Sequence, residues 1–417
     1  MKRQRIITTI PILLALLLSA CTGTALTGIS GTGELNTPQQ IAQVATSAPS
    51  NTQSSVTGSG SLADYEQTLE NIYAQVNPSV VNIQVVSQAS TSIQVPQLPG
   101  DPFGFGNPGS GGIQQALGSG FVWDTQGHIV TNNHVINGAT KITVTFADGT
   151  VLDAKLVGAD PDSDLAVIQV DSSNLPKPIE LADSTQVQVG QLGIAIGNPY
   201  GLSGTMTTGI ISALSRSLPV GLDNSSTQQG PTYTIPDIIQ TDAAINPGNS
   251  GGVLVDTQGK LIGVTAAIES SVQANSGIGF VIPSAIVQKV IPVLIQTGTY
   301  DHPRLGISGT SMTPDLAQAM NLDAQQKGAL VIDVTPNGPA DKAGIQGSAQ
   351  TVTIQGQQTT VGGDVIIAID GQPVRSFDDL ASYLYTNTEV GQTVTLTVLR
   401  QGQQKQIDVT LASMPAP

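Results

Sequence analysis

The sequence predicts a mainly-β chain of two folded units behind a polar leader. Three observations carry this. At 417 residues the chain exceeds one ordinary domain. Gly (46) and Pro (25) are frequent and aromatics make up only 3%, which favours many short strands joined by turns over a helical bundle. Between residues 117 and 283, short apolar runs recur around turn signals such as Asp148-Gly149 and the Asp-Thr-Gln-Gly strings at 124–127 and 256–259.

The elements follow in chain order. Lys2, Arg3 and Arg5 precede an apolar run over 6–20. That run is shorter than the ~20 residues of a membrane-spanning helix, so residues 1–20 are expected to be a secretory signal peptide. Leu18-Ser19-Ala20-Cys21 resembles the bacterial lipobox, whose cysteine is lipidated and becomes the mature N-terminus. The expectation is an extracytoplasmic protein held at a bacterial membrane through lipid on Cys21. Residues 21–63 are a disordered tether, because Thr, Ser, Gly, Gln and Pro cannot bury enough apolar surface to offset ordering entropy.

Leu69, Ile72, Tyr73 and Val76 stand at helical spacing before Pro78, which predicts a short helix over 64–77. A strand follows at 80–86, then a long Pro/Gly-rich loop over 87–116. Strands at 120–123, 128–131, 141–146, 166–170 and 192–196 read as an all-β barrel or sandwich. The polar stretch 215–234 lacks an apolar period and is expected to be mobile. An amphipathic helix spans 283–297 and Gly298 stops it. The boundaries are 64–298 for the first unit and 303–415 for the second.

Composition excludes several functions. A formal net charge of −15 repels phosphate backbones, so no nucleic-acid partner is expected. One cysteine forbids an intramolecular disulfide or a cysteine metal site, and three histidines disfavour a histidine-rich one. Neither metal nor cofactor is expected. A histidine base must be His128, His134 or His302.

The chemistry lies in three places. In Asn246-Pro-Gly-Asn-Ser250-Gly-Gly252, a serine among glycines permits a tight turn whose backbone N–H groups converge on one point, as an oxyanion hole requires. His134 ends the apolar strand of Ile129-Val-Thr-Asn-Asn-His134. Asp164 abuts the apolar run of Asp160-Pro-Asp-Ser-Asp164-Leu-Ala-Val, where it can be desolvated and aimed inward, with Asp160 and Asp162 in the turn before it. The order His, Asp, Ser is that of trypsin-like proteases, not of subtilisin or the α/β-hydrolases.

These segments, with Gly197-Asn-Pro-Tyr-Gly201, Gln240-Thr-Asp-Ala-Ala-Ile and Gly277-Ile-Gly-Phe-Val-Ile-Pro283, resemble the HtrA (Deg) family of serine proteases. The resemblance implies a chymotrypsin-like double β-barrel with the triad His134, Asp164 and Ser250 between the barrels. It implies an oxyanion hole built from the N–H groups of Gly248 and Ser250, with Asn249 lining the turn. It also implies a homotrimer, for which the apolar residues around Leu69, Ile72 and Tyr73 are the candidate contacts. Asn249 stands where trypsin-like digestive enzymes carry the Asp that pairs with a freshly cut N-terminus, so loop ordering must come from elsewhere. The position six before the nucleophile, Ala244, with Ile245, Ala266, Ala267 and Ile268, suggests a small apolar pocket that rejects charged side chains. Cleavage after small aliphatic residues, which folded proteins bury, selects unfolded polypeptide substrates.

In the second unit, Arg304-Leu305-Gly306-Ile307, the string Gly338-Pro-Ala-Asp-Lys-Ala-Gly-Ile345 and the string from Gly362 to Val374 resemble a bacterial PDZ domain. The 304–307 loop would offer backbone N–H groups to the C-terminal carboxylate of a peptide added as a strand. Residues 346–361 read as an inserted hairpin. The function expected is a PDZ-regulated serine endopeptidase for unfolded or damaged proteins outside the cytoplasm; the competing reading is a non-enzymatic peptide-binding holdase on the same scaffold.

Overall fold

The computed structural model describes residues 62–88, 113–199, 204–220, 233–266 and 277–413. The signal peptide, Cys21, the tether up to residue 61, most of the 87–116 stretch, Ala267 and Ile268 lie outside these, and the last two tether residues, 62 and 63, open a helix instead.

Helix α1 (Leu62–Val76) leads into a first closed antiparallel barrel. Its strands are β1 (Val80–Gln88), β2 (Ile113–Val122), β3 (His128–Thr131), β4 (Ala139–Thr145), β5 (Val151–Asp160) and β6 (Leu165–Val170), with the one-turn helix α2 (Asn133–Ile136) after β3. They pair in the order β1-β2-β3-β6-β5-β4 and close through β1 and β4. β6 is buried at five of its six positions, which is why its sequence reads as a near-continuous apolar run.

A second closed barrel comprises β7 (Leu192–Gly197), β8 (Thr205–Val220), β9 (Tyr233–Thr241), β10 (Val253–Val255), β11 (Leu261–Ala266) and β12 (Gly279–Pro283), in the order β10-β11-β12-β9-β8-β7. Helix α3 (Ser284–Thr297) buries Ile286, Val287, Val290, Ile291 and Leu294 and ends on Gly298. Burial of each such side chain contributes roughly 1.5–3 kcal/mol. The helix end docks on the first barrel at Gly158, where a Cβ would stand 2.8 Å from the Leu294 carbonyl oxygen. Only glycine allows that approach.

The remaining strands form a smaller unit. β13 (Pro303–Arg304) pairs with β22 (Ala412–Ser413), joining its start to its end. The main sheet runs β14 (Ile307–Ser311), β15 (Ala329–Val334), β18 (Val365–Ile369), β20 (Thr393–Arg400) and β21 (Gln403–Thr410), with β19 (Gln372–Pro373) hung on β18. Its helices are α4 (Pro314–Ala319), α5 (Pro339–Ala343) and α6 (Phe377–Asn387). Strands β16 (Gln350–Ile354) and β17 (Gln357–Val361) are the expected inserted hairpin; Val352 and Ile354 pack on an apolar cluster beside α4.

Three readings of the sequence need amendment. The two ends of 215–234 are strand: β8 runs to Val220 and β9 begins at Tyr233, paired through register shifts that a periodicity search misses. The α1 side chains expected to meet other protomers are engaged within the chain. Ile72 is in the core, Leu69 packs on it, and Tyr73 Oη donates to the Gly204 carbonyl, which leaves Leu62 and Tyr65 exposed. Finally, Asp160, expected in the turn, is the last residue of β5 and is more buried than Asp164.

Candidate active site

The first barrel supplies an interlocked pair of turns. Asp164 adopts a left-handed backbone (φ 53°), which Asp tolerates better than most residues. Its carbonyl accepts hydrogen bonds from Asn132 Nδ2 (2.9 Å) and the Asn133 amide (3.1 Å). Its carboxylate accepts from the His134 amide (2.9 Å) and from His134 Nδ1 (2.7 Å). Since an ionised carboxylate only accepts, Nδ1 carries the proton and Nε2 is left with a lone pair. The Asp164 side chain is 8% exposed and the imidazole 45%, so the dyad is anchored in the interior and open at its reactive nitrogen.

The second barrel supplies a turn over residues 246–252, between β9 and β10. The Asn249 amide donates to the Asn246 carbonyl (2.9 Å) and the Gly252 amide to the Asn249 carbonyl (2.9 Å). Gly248 is left-handed (φ 93°), and a Cβ there would lie 2.5 Å from Pro199 Cβ. The turn is fastened to the first barrel, because the Ser119 amide donates to the Ser250 carbonyl (2.7 Å). Asn249 and Ser250 are both buried at 5% exposure.

The pocket residues divide. Ala244 is half-buried, and its carbonyl accepts from Thr207 Oγ1 (3.0 Å), a pocket neighbour absent from the sequence reading. The side chains of Ile245 and Ala266 pack into the apolar interior. Leu305 is also core, and the Arg304 guanidinium bonds Asp162 of the first barrel, so it faces away from a peptide groove. The backbone of 304–307 still leads into β14, an edge strand with α6 beside it, where the Phe377 amide donates to Ser311 Oγ (2.9 Å).

Sequence reasoning missed the junction between the two units. His302 Nε2 donates to Asp160 Oδ2 (2.8 Å), and Ser163 Oγ donates to the same oxygen. The His302 ring stacks on Tyr385 and meets Tyr300 edge-on. Burial, reinforced by the Asp160 charge, pushes the Tyr300 hydroxyl up to about 12 and Tyr385 well above its ordinary value. Lys289 Nζ donates to the carbonyls of Tyr385 and Thr388 at the end of α6 (both 2.8 Å); desolvation lowers its pKa. Asp160, Asp162 and His302 bring one ligand atom each within 4.8 Å of one another, but Arg304 already neutralises Asp162. The Asp-Pro-Asp spacing and three lone histidines were the available signals, and neither states which elements meet.

Two barrels with a His–Asp pair and a glycine-flanked serine, followed by a sheet with an open edge beside a helix, define a class: a serine endopeptidase with a PDZ domain. Residues 118–264 match the trypsin-like peptidase domain and residues 303–411 the PDZ domain. The chain is 40% identical to the periplasmic serine endoprotease DegP of Escherichia coli over 382 residues, covering 85% of this chain and 74% of that protein. It is 42% identical to the chloroplastic Protease Do-like 1 of Arabidopsis thaliana, covering 82% and 71%. The solved HtrA-type protease AlgW with a decapeptide aligns at a TM-score of 0.61 and 34% identity, over 84% of this chain and 99% of that one. The chain belongs to the HtrA/DegP family of serine proteases.

Proposed function

We propose that Ser250 is the nucleophile, His134 the general base and Asp164 the residue that orients it, in an extracytoplasmic endopeptidase acting on unfolded or damaged polypeptides. The observation that carries this reading is the buried Asp164 carboxylate holding His134 Nδ1 at 2.7 Å. With that tautomer, Nε2 takes the Ser250 proton as Oγ attacks the scissile carbonyl and later returns it to the leaving amine. The N–H groups of Gly248 and Ser250, beside Asn249, stabilise the oxyanion. A fluorophosphonate should label Ser250 covalently, and Ser250→Ala should neither label nor cleave a denatured protein. Labelling that persists in this variant refutes the assignment.

Residues 64–298 form the protease domain and 303–415 the PDZ domain, whose open β14 edge suits a peptide C-terminus. The pocket around Ala244 favours small aliphatic residues. Residues 1–20 are the signal peptide, Cys21 carries lipid that fixes the chain to a membrane, and 21–63 form the tether. The name of the DegP relative places that protein in the periplasm, in keeping with an extracytoplasmic location here. No described helix is long and apolar enough to cross a membrane. The assembly is a trimer, with Leu62 and Tyr65 now the α1 side chains free to meet a neighbour. Peptide at the PDZ domain raises turnover through α6, where Asp378 accepts from Ser217 Oγ of β8.

A further inference from the structure

We infer that Ser119, a fully buried residue of β2 in the first barrel, is the positioning residue for the oxyanion turn of the second barrel; this rests on Ser250 being the nucleophile. Ser119 makes four hydrogen bonds. Its amide donates to the Ser250 carbonyl (2.7 Å), and its carbonyl accepts from Thr131 Oγ1 (2.7 Å), three residues before His134. Its hydroxyl accepts from the Asn198 amide (2.8 Å) and donates to the Gly248 carbonyl (2.6 Å). A hydroxyl has one proton. Because Asn198 N–H is itself a donor, that proton is committed to Gly248.

The consequence follows from peptide geometry. The Gly248 carbonyl and the Asn249 amide belong to one planar peptide. Its carbonyl is held by Ser119 Oγ and its N–H by the Asn246 carbonyl (2.9 Å). The peptides on either side carry the Gly248 and Ser250 N–H groups. Pinning the middle plane at both ends therefore limits the rotations that would swing either donor away. Gly248, without a Cβ and at φ 93°, is where the turn rotates most freely, so a strut is needed there. Asn198 is steadied in turn, since its carbonyl accepts from Asn82 Nδ2 (2.7 Å). Ser119 is fully buried, so it acts through the turn and touches no reacting atom.

The test compares Ser119→Ala with Ser119→Thr, which keeps the hydroxyl, in the full-length chain on a short chromogenic peptide and with a fluorophosphonate probe. Removing one oxyanion donor outright costs about 10²–10³ in kcat; loosening two is expected to lower kcat about 10–100-fold in Ser119→Ala. KM should stay within about twofold, the rate of labelling at Ser250 should fall in parallel, and Ser119→Thr should restore most of both. If Ser119→Ala does not fold, Ser119→Cys, close in volume and a weak donor, should give a kcat below that of Ser119→Thr. Unchanged kcat and labelling rate in a folded variant lacking the hydroxyl, or a loss carried by KM alone, overturns the strut while leaving the nucleophile intact. Labelling at a serine other than Ser250 overturns the nucleophile and the strut together.

Discussion

The two barrels contribute to the candidate site in different ways. The first offers side chains: His134 and Asp164 stand on turns that hydrogen-bond each other, so the dyad is complete within one barrel. The second offers main chain: the 246–252 turn depends on peptide orientations set partly by its own bonds and partly by Ser119 across the seam. The side-chain half is therefore locally determined. The main-chain half is contingent on neighbours, and a small rotation there would turn aside a proposed oxyanion donor without unfolding anything.

Substitutions on each side can break or sharpen this contrast. The largest effect is expected from Ser250→Ala, about 10⁶ in kcat, with melting temperature unchanged. More than a few per cent of residual hydrolysis of a denatured protein would place the nucleophile elsewhere. Asp164→Asn should lower kcat about 10⁴-fold, because an amide can donate to Nδ1 and hold the wrong tautomer. Asn also tolerates φ 53°, so an intact fold measured by circular dichroism is expected to accompany the loss. If the variant retains activity within about tenfold, His134 is not oriented from this side.

In the main-chain half, Gly248→Ala forces a Cβ into Pro199 at a left-handed position. Its kcat should fall about 10²–10³-fold, as for the loss of one oxyanion donor, with KM nearly constant. A rise in KM alone would show that the turn binds substrate and does not stabilise charge. Next, a peptide with a free apolar C-terminus should raise turnover of a small chromogenic substrate by about 5–150-fold, corresponding to a coupling of ~1–3 kcal/mol. Amidating that peptide should weaken the effect. If a chain truncated at Thr299 is as active as the whole and indifferent to peptide, the PDZ domain does not gate the turn.

The smallest effect concerns stability. Burial between β9 and α6 raises the pKa of Asp237, and hydrogen bonds with Ser215 and Ser382 offset this only in part. The folded state therefore binds the proton more tightly than the unfolded chain does. The penalty is absent below the ordinary carboxylate pKa and is fully present once pH exceeds the raised value. Asp237→Asn should raise the melting temperature slightly at pH 7, and the gain should vanish as pH falls below 3.8. A gain that persists in acid would assign it to packing instead.

How much of this was legible follows from where each interaction closes. Strands with turn signals and the strings around His134, Asp164 and Ser250 are local, and each needs only neighbouring residues to make sense. The helix over 283–297, stopped at Gly298, and the 346–361 hairpin were legible for the same reason. The strand ends of 215–234, at 215–220 and 233–234, were not, because β8 and β9 pair through bulges that erase the period of two.

By itself the sequence determined the chemistry on offer: one cysteine, three histidines, a glycine-flanked serine and the order of the three catalytic candidates. Only the tertiary structure decided which buried polar groups meet. Ser119 reads as an ordinary strand residue until Gly248, 129 positions later, comes within hydrogen-bonding distance. Asp160 reads as a turn residue until His302, 142 positions later, bonds its buried carboxylate. A buried polar group must find a partner, but which partner it finds depends on how the chain folds back on itself.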